Sequence, residues 1–527
     1  MRLYIIKYSF LILSGFVLIS SCTKKFNEIN TNPASYSQSN FDPNFLLTTA
    51  QLTYTGSMDF SYETWRGNLI YCSTMMQGLS TVVGYWAGDK YLLNEDYTAA
   101  YWTVAYPEQV KTIVDLVEFT KDKPQFKNIH EIARIMKAMI LERITDLYGD
   151  IPYFAAGQGY YTNNFFPVYD KQEAIYADLL KEVNNATDSL DEGGDIPAGD
   201  VYYDGDISKW KKFGNTLLLR MAMRLTKVDP ATAQTYVTKV IGKTMESNDD
   251  NAFLLGDETG SRATINRNSQ ILLGDGGQEN YYTKWSQTFI NFLKSTRDPR
   301  LGKVAVTQLY LDPNSKDQNA GANSDPAVQK GMPNGKDLSG IPGLTIGADP
   351  SFTTFPAYSS INPMMMQRSG PTFILTYAES ELLLADAAQR WGIGGSAASH
   401  YNNGVKSAMT YLTQYDPSIG VSDATASAYV TANPYNEGNG LQMINTQYWA
   451  NAITMLDFYE TWSNWRRTGF PALTPVVYPN NATGGTIPRR FPYPSTEASS
   501  NPVNYKIAHD GVQGGDVLTS RVWWDKQ

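Results

Sequence analysis

Phe373-Ile374-Leu375-Thr376-Tyr377-Ala378-Glu379-Ser380-Glu381-Leu382-Leu383-Leu384-Ala385-Asp386-Ala387-Ala388 carries a helix from Tyr377 to Ala388, and its closely spaced alanines would let a neighbouring helix approach closely. Helical stripes lie on either side of it. Downstream, Tyr401, Val405, Ala408, Met409 and Leu412 form one stripe, and Trp449, Ala452, Ile453 and Leu456 form another. Upstream, Val110, Ile113, Val114 and Val117 follow the i, i+3, i+4, i+7 rule. So do Ile132, Ile135, Met136, Met139, Ile140, Ile144 and Leu147, with Pro124 marking a turn between the two runs. Tyr176, Leu179, Leu180 and Val183 give a further stripe. Phe213, Leu217 and Met221 give the next, entered through Asp206 or Ser208 as a cap.

Helix pairs with small residues at their crossings are the units of tetratricopeptide-like repeats. No clean 34-residue self-similarity is visible, so the repeats are degenerate. Residues 256–280 and 312–350 are rich in Gly, Asn and Asp and read as long irregular loops. The tail after Gly469 is rich in Pro and reads as non-helical, and strand signals are few and short. The fold class is therefore mostly α: degenerate helix pairs, long irregular loops and few short strands. The chain of 527 residues carries a net charge of −9, which argues against nucleic acid and against an electrostatic grip on anionic lipid. Its two cysteines are Cys22 and Cys72. With 35 Tyr and 11 Trp it has ample rings for a core or for a wet binding face.

The N-terminus has a basic start at Arg2 and Lys7, a short apolar run from Phe10 to Ile19, and Ser20-Ser21 before Cys22. The run is shorter than the roughly 18 residues needed to span a bilayer, so residues 1–21 read as a signal peptide. A cysteine after small residues resembles the lipobox of bacterial lipoproteins. That resemblance implies cleavage before Cys22 and attachment of acyl chains such as palmitate, which anchors the protein in membrane lipid. Residues 22–44, polar and rich in Asn, Ser and Pro, read as a tether, and residues 45–527 as the folded domain. With Cys22 acylated, only Cys72 remains, so no intrachain disulfide is expected in the mature protein.

Familiar catalytic chemistry is missing. The three histidines, His130, His400 and His509, have no nearby His or Cys to complete a zinc site. There is no Gly-rich phosphate loop before a helix and no Gly-x-Ser-x-Gly. The carboxylates Asp195, Asp200, Asp204 and Asp206 lack EF-hand spacing and read as a solvated loop. Glu379 and Glu381 diverge around a helix and make a poor acid/base pair. Neither a metal nor a cofactor is expected, and the protein reads as a non-enzyme. The alternative, a secreted lipid-anchored glycoside hydrolase, would need two carboxylates about 5–10 Å apart across a cleft.

Six segments in order point to a family. They are Leu147-Tyr148-Gly149-Asp150-Ile151-Pro152-Tyr153, Asp206 to Asn215 with Leu219 to Leu225, Tyr377 to Ala388, Tyr401-Asn402-Asn403-Gly404-Val405, Tyr459 to Pro471, and Arg489-Arg490-Phe491-Pro492-Tyr493-Pro494. Together with Ile29-Asn30-Thr31-Asn32-Pro33 behind the lipobox, this order resembles the SusD/RagB family, in its SusD-like branch. The resemblance implies a SusD-like fold in an outer-membrane lipoprotein that faces the cell exterior. It also implies that the protein binds a nutrient, a glycan or oligosaccharide, and delivers it to a TonB-dependent β-barrel transporter of the SusC type. The motifs themselves read as scaffold: Arg466 and Arg467, beside Glu460 and Trp462, suit packed ion pairs and cation–π contacts.

Sugar rings stack on aromatic faces while their hydroxyls need polar partners. Val83-Gly84-Tyr85-Trp86-Ala87-Gly88-Asp89-Lys90-Tyr91 and Gln278-Glu279-Asn280-Tyr281-Tyr282-Thr283-Lys284-Trp285 supply both outside any helical stripe. The expected ligand-binding residues are Tyr85, Trp86, Tyr91, Tyr281, Tyr282 and Trp285, lining a shallow exposed groove. Tyr160-Tyr161 and Phe352 to Tyr358 are weaker candidates, and Trp102 and Trp210 read as core.

Overall fold

Polar residues just ahead of apolar stripes start most of the helices. The computed structural model describes residues 41–57, 62–260, 264–275, 277–318 and 321–527. The expected signal peptide, Cys22, Ile29–Pro33 and the expected tether through residue 40 lie outside the described residues. In the first half, α1 (Asn44–Thr55), α2 (Glu95–Val104), α3 (Lys111–Thr120), α4 (Lys127–Tyr148), α5 (Gln172–Ser189), α6 (Ile207–Arg224) and α7 (Pro230–Val240) follow one another. After α8 (Gln287–Ser295) and a long loop region come α9 (Tyr377–Trp391), α10 (Ala397–Thr410), α11 (Asp423–Ala432), α12 (Gly440–Thr454), α13 (Phe458–Thr468) and α14 (Pro502–Asp510). Asp206 caps α6, its carboxylate accepting from the amides of Ser208 at 2.9 Å and Lys209 at 3.1 Å. Thr376 and Asp457 cap α9 and α13 in the same way.

Consecutive helices pack as pairs from α3 through α7, and α9 joins the two halves by contacting α6, α10 and α12. The expected stripes face inward: Ile132 to Leu147 on α4, Tyr176 to Val183 on α5 and Phe213 to Met221 on α6 are buried. The alanine-rich α9 has the close neighbour that its composition implies. A Cβ at Gly404 of α10 would lie 2.8 Å from Leu382 Cγ, so this crossing needs glycine. Strands are few among the described residues: β1 (Leu79–Thr81), β2 (Ala252–Leu255), β3 (Thr283–Trp285), β4 (Ala305–Val306), β5 (Ser360–Ile361) and β6 (Pro371–Leu375). They form three antiparallel pairs, β1–β3, β2–β6 and β4–β5. The fold is thus mostly α, with long loops. One expectation is corrected: the tail after Gly469 contains α14, which Pro502 can open because the first helical position needs no amide donor.

The helices meet over a buried ionic network. On α6, Arg220 donates to Glu379 of α9 at 2.6 and 2.9 Å, and Arg224 donates to Asp146 of α4 at 3.1 Å and to Glu460 of α13. The Tyr448 hydroxyl of α12 lies within hydrogen-bond distance of both Glu379, at 2.6 Å, and Glu460, at 2.7 Å, and donates its one proton between them. Arg466 lies over the Trp462 and Trp524 rings at 4.1 and 4.8 Å, and Arg467 pairs with Asp386 at 2.9 Å. These two arginines are therefore packed inside the scaffold and face no ligand.

Glu142 of α4 is also buried here. Burial first, and then the nearby Asp146, raise its carboxyl from 4.5 to about 8. The folded state then holds a proton that the unfolded chain releases near pH 4.5. The contribution of this group is fully present below that pH and is lost as pH rises to about 8. Glu142→Gln should abolish this loss: its melting temperature relative to wild type should rise by a few degrees between pH 5 and pH 8. A difference that stays flat over that range would show Glu142 already ionised in the fold.

Candidate functional site

The β1–β3 ribbon brings together two stretches nearly 200 residues apart. Its register is Leu79↔Trp285, Ser80↔Lys284 and Thr81↔Thr283, so the residues leaving β1 sit beside those entering β3. Tyr85 is 41 % exposed, and its hydroxyl donates to Glu279 Oε1. Its ring stands edge-on to Trp65 at 5.9 Å, and Trp65 stacks with Tyr62 at 6.4 Å. Beyond Glu279, half-buried Tyr281 and Tyr282 contact each other at 4.8 Å and both meet Phe355, at 5.4 and 5.0 Å. Half-buried Phe352 joins Phe355 at 5.3 Å. Val82, Met332, Ile346, Phe355 and Tyr358 form a small apolar cluster beneath these rings, separate from the main core. The result is an aromatic platform with accessible ring faces on both sides of Glu279.

Three of the six expected ligand residues are not on that platform. Trp86, Tyr91 and Trp285 are buried, which corrects the expectation of an exposed groove containing them. The Trp285 indole donates to Val304 O at 2.9 Å and packs on Phe289 at 4.9 Å. Tyr91 accepts from the Val476 amide at 3.1 Å. Gly88 explains why flanking glycine misleads: a Cβ there would lie 2.2 Å from Ile70 O, so the glycine permits tight burial of its loop. Asp89 then pins the loop by accepting from the Gly335 amide at 2.8 Å. Trp102 and Trp210 are core as expected, but they lie within α2 and α6 and not ahead of a helix. Tyr160 is 81 % exposed, but Tyr161 bonds Asp115 on α3 and the pair is not brought to the ribbon. Tyr62 and Trp65 were missed, and their signal was a second Tyr/Trp pair at the start of the mostly buried segment Thr64–Ser73.

Buried charge lies under the platform. Glu279 is fully buried, and its Oε2 has no hydrogen-bond partner. Burial and the Glu279 carboxylate hold the Tyr85 phenol above its ordinary range. Lys284 is buried with Nζ donating to Ser360 Oγ at 2.7 Å, and burial pushes it down to about 7. Burial also raises Glu379, held between Arg220 and Tyr448, and Glu142 and Glu63, the last to about 7. The latter two line small cavities of about 10 and 40 Å³, too small for a sugar ring. Among the described residues no three His, Cys, Asp or Glu are grouped to hold a metal. The acidic loop is less solvated than expected: Asp200 is buried and accepts from the Trp210 indole at 2.7 Å, while Asp195 accepts from the Asn128 amide at 2.7 Å.

The sequence pattern of the SusD-like family, described as starch-binding and associating with the outer membrane, matches residues 35–494. The chain belongs to the SusD-like family. It superposes on a chitin-binding protein at a TM-score of 0.79 with 32 % identity, covering 92 % of this chain and 100 % of the other. A SusD-like protein from the Bacteroidetes gives 0.79 at 25 % identity, with the same coverage of both chains. A chitin-binding SusD homologue from Flavobacterium johnsoniae, at 22 % identity, shares the fold with a TM-score of 0.73 over 92 % of this chain and 99 % of its own. No curated protein matches this SusD-like chain.

Burial separates the roles of these aromatics in this SusD-like protein. Trp86→Ala should leave a core cavity and cost on the order of 3–5 kcal/mol, lowering the melting temperature clearly. Tyr282→Ala should lower it far less. Thermal unfolding of the two variants checks this, and equal losses would place Tyr282 in the core as well.

Proposed function

We propose that this SusD-like protein binds a glycan on the Tyr85–Tyr281–Tyr282 platform and delivers it to a TonB-dependent β-barrel transporter of the SusC type. The observation that carries the binding half is the set of accessible tyrosine faces around Glu279, in a chain 32 % identical over its length to a chitin-binding protein. Ring faces stack on the apolar faces of sugars, and Glu279 Oε2 would accept from a hydroxyl or amide once Tyr85 turns aside. No enzymatic role is proposed: Glu63 and Glu142, raised by burial, line cavities of about 40 and 10 Å³ away from the platform, and the raised Glu379 is held by Arg220.

Delivery follows from what the chain lacks. Among the described residues no helix is long and apolar enough to cross a membrane. A bound glycan would need another protein to carry it inward. Cys22 acylation would hold the protein at the outer membrane, facing outward, and the tether would let it swing over the transporter mouth.

Chitin- and starch-derived oligosaccharides are the first probes for the protein from Thr23 onward. Titration calorimetry should show binding of at least one, and chromatography should recover it intact. Losing one stacked ring is worth about 1 kcal/mol, so Tyr282→Ala should weaken binding about fivefold. Absence of binding across a broad glycan panel, or reproducible cleavage, would reject this reading.

The partner and the anchor are tested together on membranes. A C-terminally tagged protein, extracted gently from outer membrane, should co-purify with a stoichiometric barrel-sized partner, and Cys22→Ala should move the protein to the soluble fraction. Recovery of the lipoprotein alone with the transporter expressed would reject the partnership. A Cys22→Ala variant that stays on membranes after a high-salt wash would reject the lipid anchor.

A further inference from the structure

A surface cleft of about 600 Å³ opens between the turn after α4 and the chain from Gly511 onward, sharing no residue with the tyrosine platform. It is many times larger than the interior cavities and matches the size of an oligosaccharide unit. Its frame is rigid. Arg490 donates to Tyr148 O at 3.2 and 2.7 Å, tying the last segment to the end of α4, and also pairs with Asp516. Arg489 donates to the buried Asp525 at 2.8 Å.

The groups left facing the cleft suit a sugar. The Trp523 indole is half-buried, with its ring 6.4 Å from Tyr176, so part of its face is open. The side chains of Gln513 and Thr519 make no hydrogen bond within the protein. Lys526 is exposed and has no ion-pair partner. Lys171 and Arg521 each engage one carboxylate, Asp150 and Asp525, both at 2.7 Å. Of the four cations in the lining, Lys171, Arg490 and Arg521 pair with Asp150, Asp516 and Asp525, which leaves Lys526 as the lining cation with no ion-pair partner, in a chain whose net charge is −9. Nearby, Lys227 donates to Lys526 O at 2.9 Å; burial first, and then Arg489, Arg521 and Arg390, hold its ammonium below the usual lysine range, opposed by Asp525.

We propose that this cleft is a second saccharide site, selective for sugars that carry an acidic group. Trp523 stacks the ring, Gln513 and Thr519 bond its hydroxyls, and Lys526 with Arg521 and Lys171 receives the carboxylate or sulfate. The site is independent of the platform, so either can fail without the other.

The probes are oligogalacturonate, a sulfated oligosaccharide and a neutral oligosaccharide of equal length, titrated into the protein from Thr23 onward at low and at physiological salt. At least one acidic probe should bind more tightly than the neutral one and weaken with salt. The carboxylated and sulfated arms show which acid group the cleft takes. Trp523→Ala should weaken binding about fivefold or more, and Lys526→Glu should weaken it and flatten the salt dependence. Tyr282→Ala should leave it unchanged. Lys526 is a surface residue, so its variant decides the question even if Trp523→Ala fails to fold. The proposal is overturned if neither acidic probe binds, if binding survives Lys526→Glu unchanged, or if Tyr282→Ala removes it.

Discussion

Arg220 and Arg224 on α6 are fully buried cations, and the rest of the structure is arranged so that neither lacks a carboxylate. Removing one member of such a pair leaves an uncompensated charge inside and costs about 3–5 kcal/mol. That penalty is directional in a way that apolar packing is not. Glu379, Glu460 and Asp146 must arrive from three other helices, in one register, to pair two guanidinium groups on a single helix, and the Tyr448 hydroxyl from a fourth sits between two of those carboxylates. An apolar stripe tolerates a slide of one turn, whereas this network does not.

Much of that scaffold was legible in the sequence. The stripes on α4, α5 and α6 are strictly periodic because each helix buries one continuous face, and Asp206 announces α6 because only a short polar side chain reaches the free amides. The ionic partners were not legible, since Arg220 and Glu379 lie 159 positions apart and neither residue signals the other locally. The ligand face was half legible for a related reason. Trp86 and Trp285 look like neighbours of Tyr85 and Tyr282 in an irregular stretch. Burial is decided by the β1–β3 pairing and by helix approach at Gly88, which are non-local. Asp200 was misread similarly: its partners Gln51 and Trp210 come from α1 and α6.

The two halves of the design therefore carry different constraints. The helix pairs are fixed by charge that must be matched and by crossings too tight for a side chain. The loops between α7 and α9 are fixed by three short strand pairs and by single anchors such as Asp89 and Lys284, leaving ring faces open between them. This arrangement lets the aromatic surface vary while the scaffold stays constant.

The same network reaches the far end of the chain. Trp524 donates to Asp146 at 2.8 Å and lies under Arg466, while Asp525 takes Arg489. Helix α4 thus completes its innermost contacts only with a residue that lies 378 positions further along the chain. The helix pairs can form locally but cannot lock until that distant segment arrives. A variant without the Trp524 indole would leave Asp146 one hydrogen bond short and strip one ring face from Arg466, so the innermost charges of the scaffold would lose part of their cover.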